Sequence, residues 1–216
     1  MCYSAEASFV AAGGLSLIGA LCVRDSKPGP TRWISVIPLC FAVQQCAEGI
    51  VWLHLDDDFE RTTLSWLARS IYLFFAYVFW LTYLPFSMWR NEKVPWRRWT
   101  CLGLFGVALT GGIRNMEAIL TLDWTPQILC QSIDYKQSTL EQMLTYGVIV
   151  FVPLLITTVP KMRIYGLLAL LFYLVSYVFY LETFTSVWCF YAAVVSAFIY
   201  IVVKEPGVES ELAQLQ

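Results

Sequence analysis

A glutamate and two glutamines in the middle of a long apolar segment are the residues of this sequence best placed to do chemistry. Gln44, Gln45 and Glu48 lie in the segment 33–55, WISVIPLCFAVQQCAEGIVWLHL. Trp52 follows Glu48 by one turn, and at 3.6 residues per turn all four side chains share one helix face. A carboxyl beside two amides can recognise the charge and the hydrogen-bonding groups of a small solute.

The segment that carries these residues is long enough to cross a membrane. A bilayer core needs about 20 apolar residues, and this run has about 23. An ionised carboxyl in hydrocarbon is costly, so Glu48 is predicted to face protein or water. Two interpretations stay open. Glu48, Gln44 and Gln45 form the bottom of a pocket for a polar or cationic solute, or Glu48 only stabilises the packing of the helices.

Composition places the whole chain among membrane proteins. The 216 residues are 58% hydrophobic and 14% charged, and the mean hydropathy is +0.62. Apolar runs recur too closely to leave a separate soluble domain, so residues 1–203 are predicted to form one transmembrane domain and 204–216 a cytoplasmic tail. The net charge of −2 and the lack of a basic tail or a Gly-rich phosphate loop argue against a nucleic-acid partner.

Seven apolar segments predict an all-α, polytopic seven-helix bundle. They cover about 4–23, 33–55, 67–89, 100–113, 140–159, 162–181 and 183–203. The fourth is Gly-rich and short, so Arg114 is expected close to a membrane surface. The loop from about 114 to 139 is the longest, allows a short hairpin, and is predicted to act as a lid.

The charges of the loops predict the orientation. Ten Lys and Arg residues fall in the loops after segments one, three and five and in the tail, against four on the other side. Because basic loops remain in the cytoplasm, the amino terminus is predicted outside and the carboxyl terminus inside, in a multi-pass protein of the cell membrane.

This orientation gathers the candidate charge partners in the outer half of the bundle. Glu6, Arg69 and Arg114 lie close to outer helix ends. The two arginines are candidates to neutralise Glu48 or Glu6, or else they sit among lipid head groups.

Tyrosines add candidate walls to the same region. Tyr72, Tyr77 and Tyr83 lie in segment three, and Tyr173 and Tyr177 share one face of segment six. They are predicted either to form a ligand cage with Trp52 or to pack as an aromatic core.

Three of the seven cysteines fall on the predicted outer side, where disulfides persist. Cys2 with Cys189 is the predicted pair because each begins its own helix at the outer end, and Cys130 could replace either. A metal site built from these thiols and His54 lacks a CxxC or similar spacing, so no metal is predicted. No GxSxG or HExxH motif is present, and no catalytic residue is predicted.

Four blocks of the sequence resemble a family of prokaryotic seven-helix membrane proteins known as a domain of unknown function. They are MCYSAEASF (1–9), QQCAEGIVW (44–52), YLFFAYVFW (72–80) and SVWCFYAA (186–193). The resemblance covers essentially the whole chain and implies that Cys2, Gln45, Glu48, Trp52 and Cys189 belong to the motif blocks of the family. It implies no activity.

The predicted function is the binding of a small polar or cationic solute in an outward-facing intramembrane cavity, by a transporter, a channel-like protein or a sensor. The alternative is an accessory subunit of a larger membrane complex or a homo-oligomer, in which the polar residues only fix packing. A third hypothesis is an extracytoplasmic thiol redox or metal-handling enzyme using Cys2, Cys130 and Cys189. The bilayer is the one partner common to all three, and no cofactor is predicted.

Overall fold

Seven helices account for almost all of the residues that the structure describes. The computed structural model describes residues 4–55, 63–121, 126–129, 132–135 and 139–204. The helices are α1 Ala5–Asp25, α2 Arg32–Leu53, α3 Thr63–Asn91, α4 Pro95–Thr121, α5 Leu140–Ile156, α6 Pro160–Phe179 and α7 Phe184–Val203. A two-stranded antiparallel hairpin, β1 Gln127–Leu129 and β2 Ser132–Asp134, lies between α4 and α5. The presence of seven helices is therefore confirmed, and the segment for which the sequence allowed a short strand or hairpin forms a hairpin.

Three of the helices contain local irregularities. In α2, Arg32–Ser35 is followed by Ile37–Leu53, whose first turn holds a proline. In α3, a π-helical segment Phe75–Phe79 separates Thr63–Phe74 from Trp80–Asn91. In α7, Phe184–Ser196 is followed after a turn by Ile199–Val203.

Five helices of the described chain are long and apolar enough to cross a membrane: α1, α2, α3, α6 and α7. Helix α5 is apolar but has 17 residues, and α4 has 27 residues but includes charged ones. These helices are compatible with a membrane protein by length and composition.

The predicted bounds of the fourth segment were wrong. Helix α4 continues through Arg114 to Thr121 instead of ending near residue 113. Contacts with α3 explain the continuity: Gly112 packs against Val78 and Thr82, and Asn115 Nδ2 donates to the backbone oxygen of Tyr77 over 2.8 Å. These contacts offset the weak helix propensity of the glycines.

Helices α1 and α2 pack closely through two glycines. A Cβ on Gly19 would lie 2.8 Å from the backbone nitrogen of Leu39, and a Cβ on Gly49 would lie 2.8 Å from the ring of Phe9. Both distances are shorter than a van der Waals contact, so each site accepts glycine alone without movement of a neighbour.

One carboxylate joins the α3–α4 and α5–α6 loops. Glu92 is 3% exposed, and its Oε1 accepts the backbone N–H groups of Lys93 and Val94, both at 3.0 Å. Its Oε2 accepts the backbone N–H of Thr158 over 2.8 Å. The two loops therefore lie at the same end of the bundle.

The α1–α2 loop and the carboxyl end of α7 lie at this end as well. Asn91 Nδ2 donates to the backbone oxygen of Pro30 over 3.0 Å, and Tyr200 donates to Asp25 Oδ2 over 3.3 Å. We call this end, with loops 26–31, 92–94 and 157–159 and with Lys204, the basic end. The opposite end, which holds the β-hairpin, is called the hairpin end.

Candidate functional site

Glu48 is enclosed by hydrogen bonds from two helices. It is 1% exposed, and its carboxyl accepts Gln45 Nε2 over 3.1 Å and Ser186 Oγ over 2.6 Å. Gln44, which is fully buried, accepts the Trp80 indole N–H over 2.7 Å. The three polar side chains of α2 thus lie inside the bundle and are held by α3 and α7.

The three candidate charge partners lie elsewhere. Glu6 is exposed in the first turn of α1, and Arg114 is exposed on α4. Arg69 is 7% exposed and lies one turn before Tyr72 on α3. Among the described residues, Glu48 forms no ion pair with either arginine.

The hairpin closes the space above Glu48. Ser132, Ile133 and Tyr135 are at most 2% exposed, and the Tyr135 ring stacks on the Tyr72 ring with centroids 4.5 Å apart. Tyr72, itself fully buried, donates to the backbone oxygen of Thr185 over 3.3 Å. Burial raises the pKa of Tyr135 well above its usual value, so this hydroxyl stays protonated. The predicted lid region therefore contributes a plug that is packed into the bundle.

A cavity of about 460 Å³ lies beside this plug. It reaches in from the hairpin end, and α3, α4, α5, α6 and α7 all contribute to its walls. Its lining residues include Tyr77, Leu81, Val107, Ala108, Thr110, Gly111, Arg114, Asn115, Glu141, Gln142, Thr145, Tyr146, Ile149, Tyr173, Phe184, Thr185, Trp188 and Cys189.

Gln44, Gln45 and Glu48 are not part of this lining. The sequence places them on the floor of a cavity, whereas the structure buries them behind Tyr72 and the hairpin. The open space therefore lies on the other side of α7, next to α4 and α5.

The amino-terminal turns of α7 connect the buried cluster with the cavity. Ser186 reaches Glu48, whereas Thr185, Trp188 and Cys189 line the cavity. Ser186 and Cys189 are three residues apart, so one turn of α7 separates the Glu48 carboxyl from the cavity.

The predicted disulfide receives no support. Cys189 is a free, buried thiol, and Cys2 lies outside the described residues, as does Cys130. The pairing was predicted because Cys189 lies near the start of its helix. In the structure its side chain is buried in the bundle and lines the cavity, which explains why it is not in a disulfide.

The remaining predicted ligand residues divide into two groups. Tyr173 lines the cavity and donates to the backbone oxygen of Met143 over 2.7 Å. Tyr177, one turn further on, is 36% exposed and does not line it. Trp52 is half-buried on α2, also away from the cavity.

Tyr77 is one of the segment-three tyrosines predicted as cavity walls and does line the cavity, whereas Trp188 and Tyr146 were not predicted to do so. Tyr77 lies in the π-helical segment, where its hydroxyl is 2.6 Å from Thr185 Oγ1 and its backbone oxygen accepts Asn115. Trp188 donates to the Tyr146 hydroxyl over 3.4 Å. The SVWCF block was a signal for Trp188, whereas nothing in the residue pattern indicates a π-helical segment, a feature that is frequent at functional sites.

The described chain is a helical bundle with a cavity near its hairpin end, and five of its helices are long and apolar enough to cross a membrane. The chain belongs to a family of unknown function, DUF6629, whose family model matches residues 1–212. Comparison with the curated proteins gives no match, and comparison with the solved structures gives none. Within the described ranges, no group of three or more His, Cys, Asp and Glu side chains could hold a metal ion.

Proposed function

We propose that this protein binds a small polar or cationic solute in the cavity lined by α3 to α7. The observation that carries the proposal is the cavity itself, about 460 Å³ in volume and lined by residues of five helices. Ligand pockets typically have volumes of about 300–1,000 Å³ and combine apolar walls with a few polar groups. The proposal keeps the predicted activity and moves its site from Glu48 to the neighbouring cavity.

Aromatic rings give the inner wall the chemistry for a cationic group. Tyr173 makes edge-to-face contacts with Phe184 and Trp188, with centroids 5.0 and 5.1 Å apart, and its ring is parallel to that of Tyr146. Cations over such rings are stabilised by about 0.5–2 kcal/mol. Glu141 at the mouth supplies a negative charge that attracts a cation.

Asn115 and Thr185 supply the polar contacts. Both line the cavity, and both are held by hydrogen bonds that involve Tyr77. Groups fixed in this way are positioned before a solute arrives, which lowers the entropic cost of binding.

We place all seven helices across the membrane, with the hairpin end outside. The basic end carries the excess of Lys and Arg, and there Arg90 and Arg98 lie over the Trp89 ring at 5.6 and 5.5 Å from its centroid. Basic and aromatic residues together are typical of a cytoplasmic membrane interface. In this orientation the cavity opens to the outside of a cell membrane, as a transporter or sensor of external solutes requires.

Two glycine variants on one helix test the proposal. Gly111 lines the cavity, and a Cβ there would meet no atom within 4 Å apart from its own neighbours on α4, so Gly111→Leu extends a side chain from an open position on the lining. Gly106 has the same open surroundings on α4 but is not part of the lining, which makes Gly106→Leu the matched control. Tetramethylammonium binding, measured by calorimetry on purified protein in amphipol, should be saturable in the wild type and Gly106→Leu and lost in Gly111→Leu.

Two results would contradict the proposal. One is wild-type protein that shows no saturable binding, and the other is a Gly111→Leu variant that binds as tightly as its control. Stoichiometric partners that remain bound during purification from native membranes, together with no solute binding, would instead favour the accessory subunit.

A further inference from the structure

The geometry points to a zwitterionic amphiphile as the ligand of this cavity, entering from the bilayer between α4 and α5. This inference rests on the proposed binding function of the same cavity and specifies its ligand. Three features carry it: the gradient of polarity along the cavity, the pair of charges at its mouth, and its exposed side.

The cavity changes from polar to apolar with depth. Near the hairpin end its lining comes from the start of α5 and the later part of α4, with Glu141, Gln142, Arg114 and Asn115. Further in, the lining residues are predominantly apolar, namely Leu81, Val107, Ala108, Ile149 and Trp188. From residue 141 to residue 149 the cavity extends about 12 Å along α5. A ligand with a polar head and an apolar chain matches this gradient. A wholly polar solute would place polar groups against the apolar inner lining, where they find few hydrogen-bond partners.

The mouth presents both signs of charge on facing helices. Arg114 on α4 and Glu141 on α5 are both exposed and both line the cavity. Among the described residues they form no ion pair with each other. A head group with a phosphate and a quaternary ammonium can engage the guanidinium and the carboxylate together, with the ammonium also close to aromatic rings.

The side of the cavity is exposed at the level of the bilayer. Val107 lies at the midpoint of α4, yet it both lines the cavity and is 56% exposed. Thr110 on α4 and Thr145 on α5 are likewise lining residues that are not buried. For a helix that spans the membrane, the midpoint lies in hydrocarbon, so an opening here faces lipid chains. An amphiphile can pass through such an opening without leaving the bilayer.

A homologous series of ligands tests the inference. Butyl-, hexyl- and octylphosphocholine share one head group and differ only in chain length. Each buried methylene contributes about fourfold in affinity, and octylphosphocholine has four more methylenes than butylphosphocholine. If only two of them are buried, octylphosphocholine should still bind at least about tenfold more tightly. Binding is measured by calorimetry on the wild-type protein in amphipol, with tetramethylammonium as the chain-free reference.

Two phenylalanine variants test entry from the side. Thr110→Phe places a ring at the exposed flank of the cavity, and Leu109→Phe places the same ring on the preceding residue of α4, which is 45% exposed but not part of the lining. We expect Thr110→Phe to slow the association of octylphosphocholine at least about tenfold, because the ring narrows the exposed flank; the rate is measured by stopped-flow tryptophan fluorescence on protein in lipid nanodiscs. Leu109→Phe should leave this rate unchanged.

The outcomes separate this inference from the function on which it rests. Equal affinities for the butyl and octyl compounds, with tetramethylammonium still bound, would refute an amphiphilic ligand and leave solute binding in place. Association rates of octylphosphocholine that are equal in Thr110→Phe and Leu109→Phe would refute side entry. If neither tetramethylammonium nor any phosphocholine binds, the binding function is wrong and the inference is wrong with it.

Discussion

Replacement of Ser186 by alanine should destabilise the bundle, because it removes a hydrogen bond from a carboxyl that water does not reach. The Ser186 hydroxyl donates to Glu48 Oε1 over 2.6 Å, and each residue is 1% exposed. The Gln45 amide donates to the other oxygen, Oε2. The variant therefore leaves Oε1 without its serine donor in a buried site.

The size of the effect follows from the burial of this hydrogen bond. A buried acceptor left unsatisfied costs about 1–3 kcal/mol, whereas a hydrogen bond exchanged for one with water costs much less. We expect Ser186→Ala to lower the free energy of unfolding by about 1–3 kcal/mol. Ser176→Ala is the matched control, since Ser176 is equally buried but donates to the carbonyl of Phe172 in its own helix, and its loss should cost about 0.5 kcal/mol or less.

The assay is unfolding in mixed micelles by increasing fractions of sodium dodecyl sulfate, followed by tryptophan fluorescence and helical circular dichroism. A double-mutant cycle with Glu48→Met, which removes both acceptor oxygens and keeps a similar side-chain length, isolates the pair, and the coupling energy should be at least about 0.5 kcal/mol. If Ser186→Ala costs no more than Ser176→Ala, the claim that Glu48 is held by this serine is refuted.

Three further predictions concern the packing, the plug and the thiol. Gly19→Ala should lower the free energy of unfolding by about 1–3 kcal/mol because its Cβ meets the backbone of the facing helix, whereas Gly14→Ala, in open surroundings, should change it little; equal effects in the same unfolding assay would argue against tight packing there. Tyr135→Ala should leave a gap above Tyr72 and increase the rate of Cys189 alkylation several-fold, measured by site-resolved mass spectrometry; an unchanged rate would mean that the hairpin does not shield the thiol. Mass spectrometry without reductant should find Cys189 as a free thiol, and a peptide that links it to Cys2 would contradict the structure.

The helices and the burial of Glu48 could be predicted because they follow from local patterns. Apolar runs of about 20 residues indicate membrane helices whatever their neighbours are. A polar face at i, i+4 and i+8 must turn away from lipid, and Gln44, Gln45 and Glu48 are indeed inside the bundle. The short strands were visible as alternation in ILCQSIDY, since period two does not depend on distant contacts.

The position of the cavity could not be predicted, because it depends on which long-range contacts fill space. Tyr135 is far from Tyr72 along the chain, and their stacking closes the region above Glu48. Helix α4 ends late because Gly112 and Asn115 find partners on α3, which a count of apolar residues does not register. The free space next to α5 is what remains after these contacts form.

Glu92 has a mechanical consequence for how the cavity can be filled. This carboxylate connects the loop before α4 to the loop after α5, so it holds the two helices together at the basic end. Helix α4 is about 40 Å long, so a tilt of about 5° about its end near Glu92 moves its other end by about 3.5 Å. A tilt of this kind would widen the cavity at the hairpin end and leave the spacing of the two helices at the basic end unchanged.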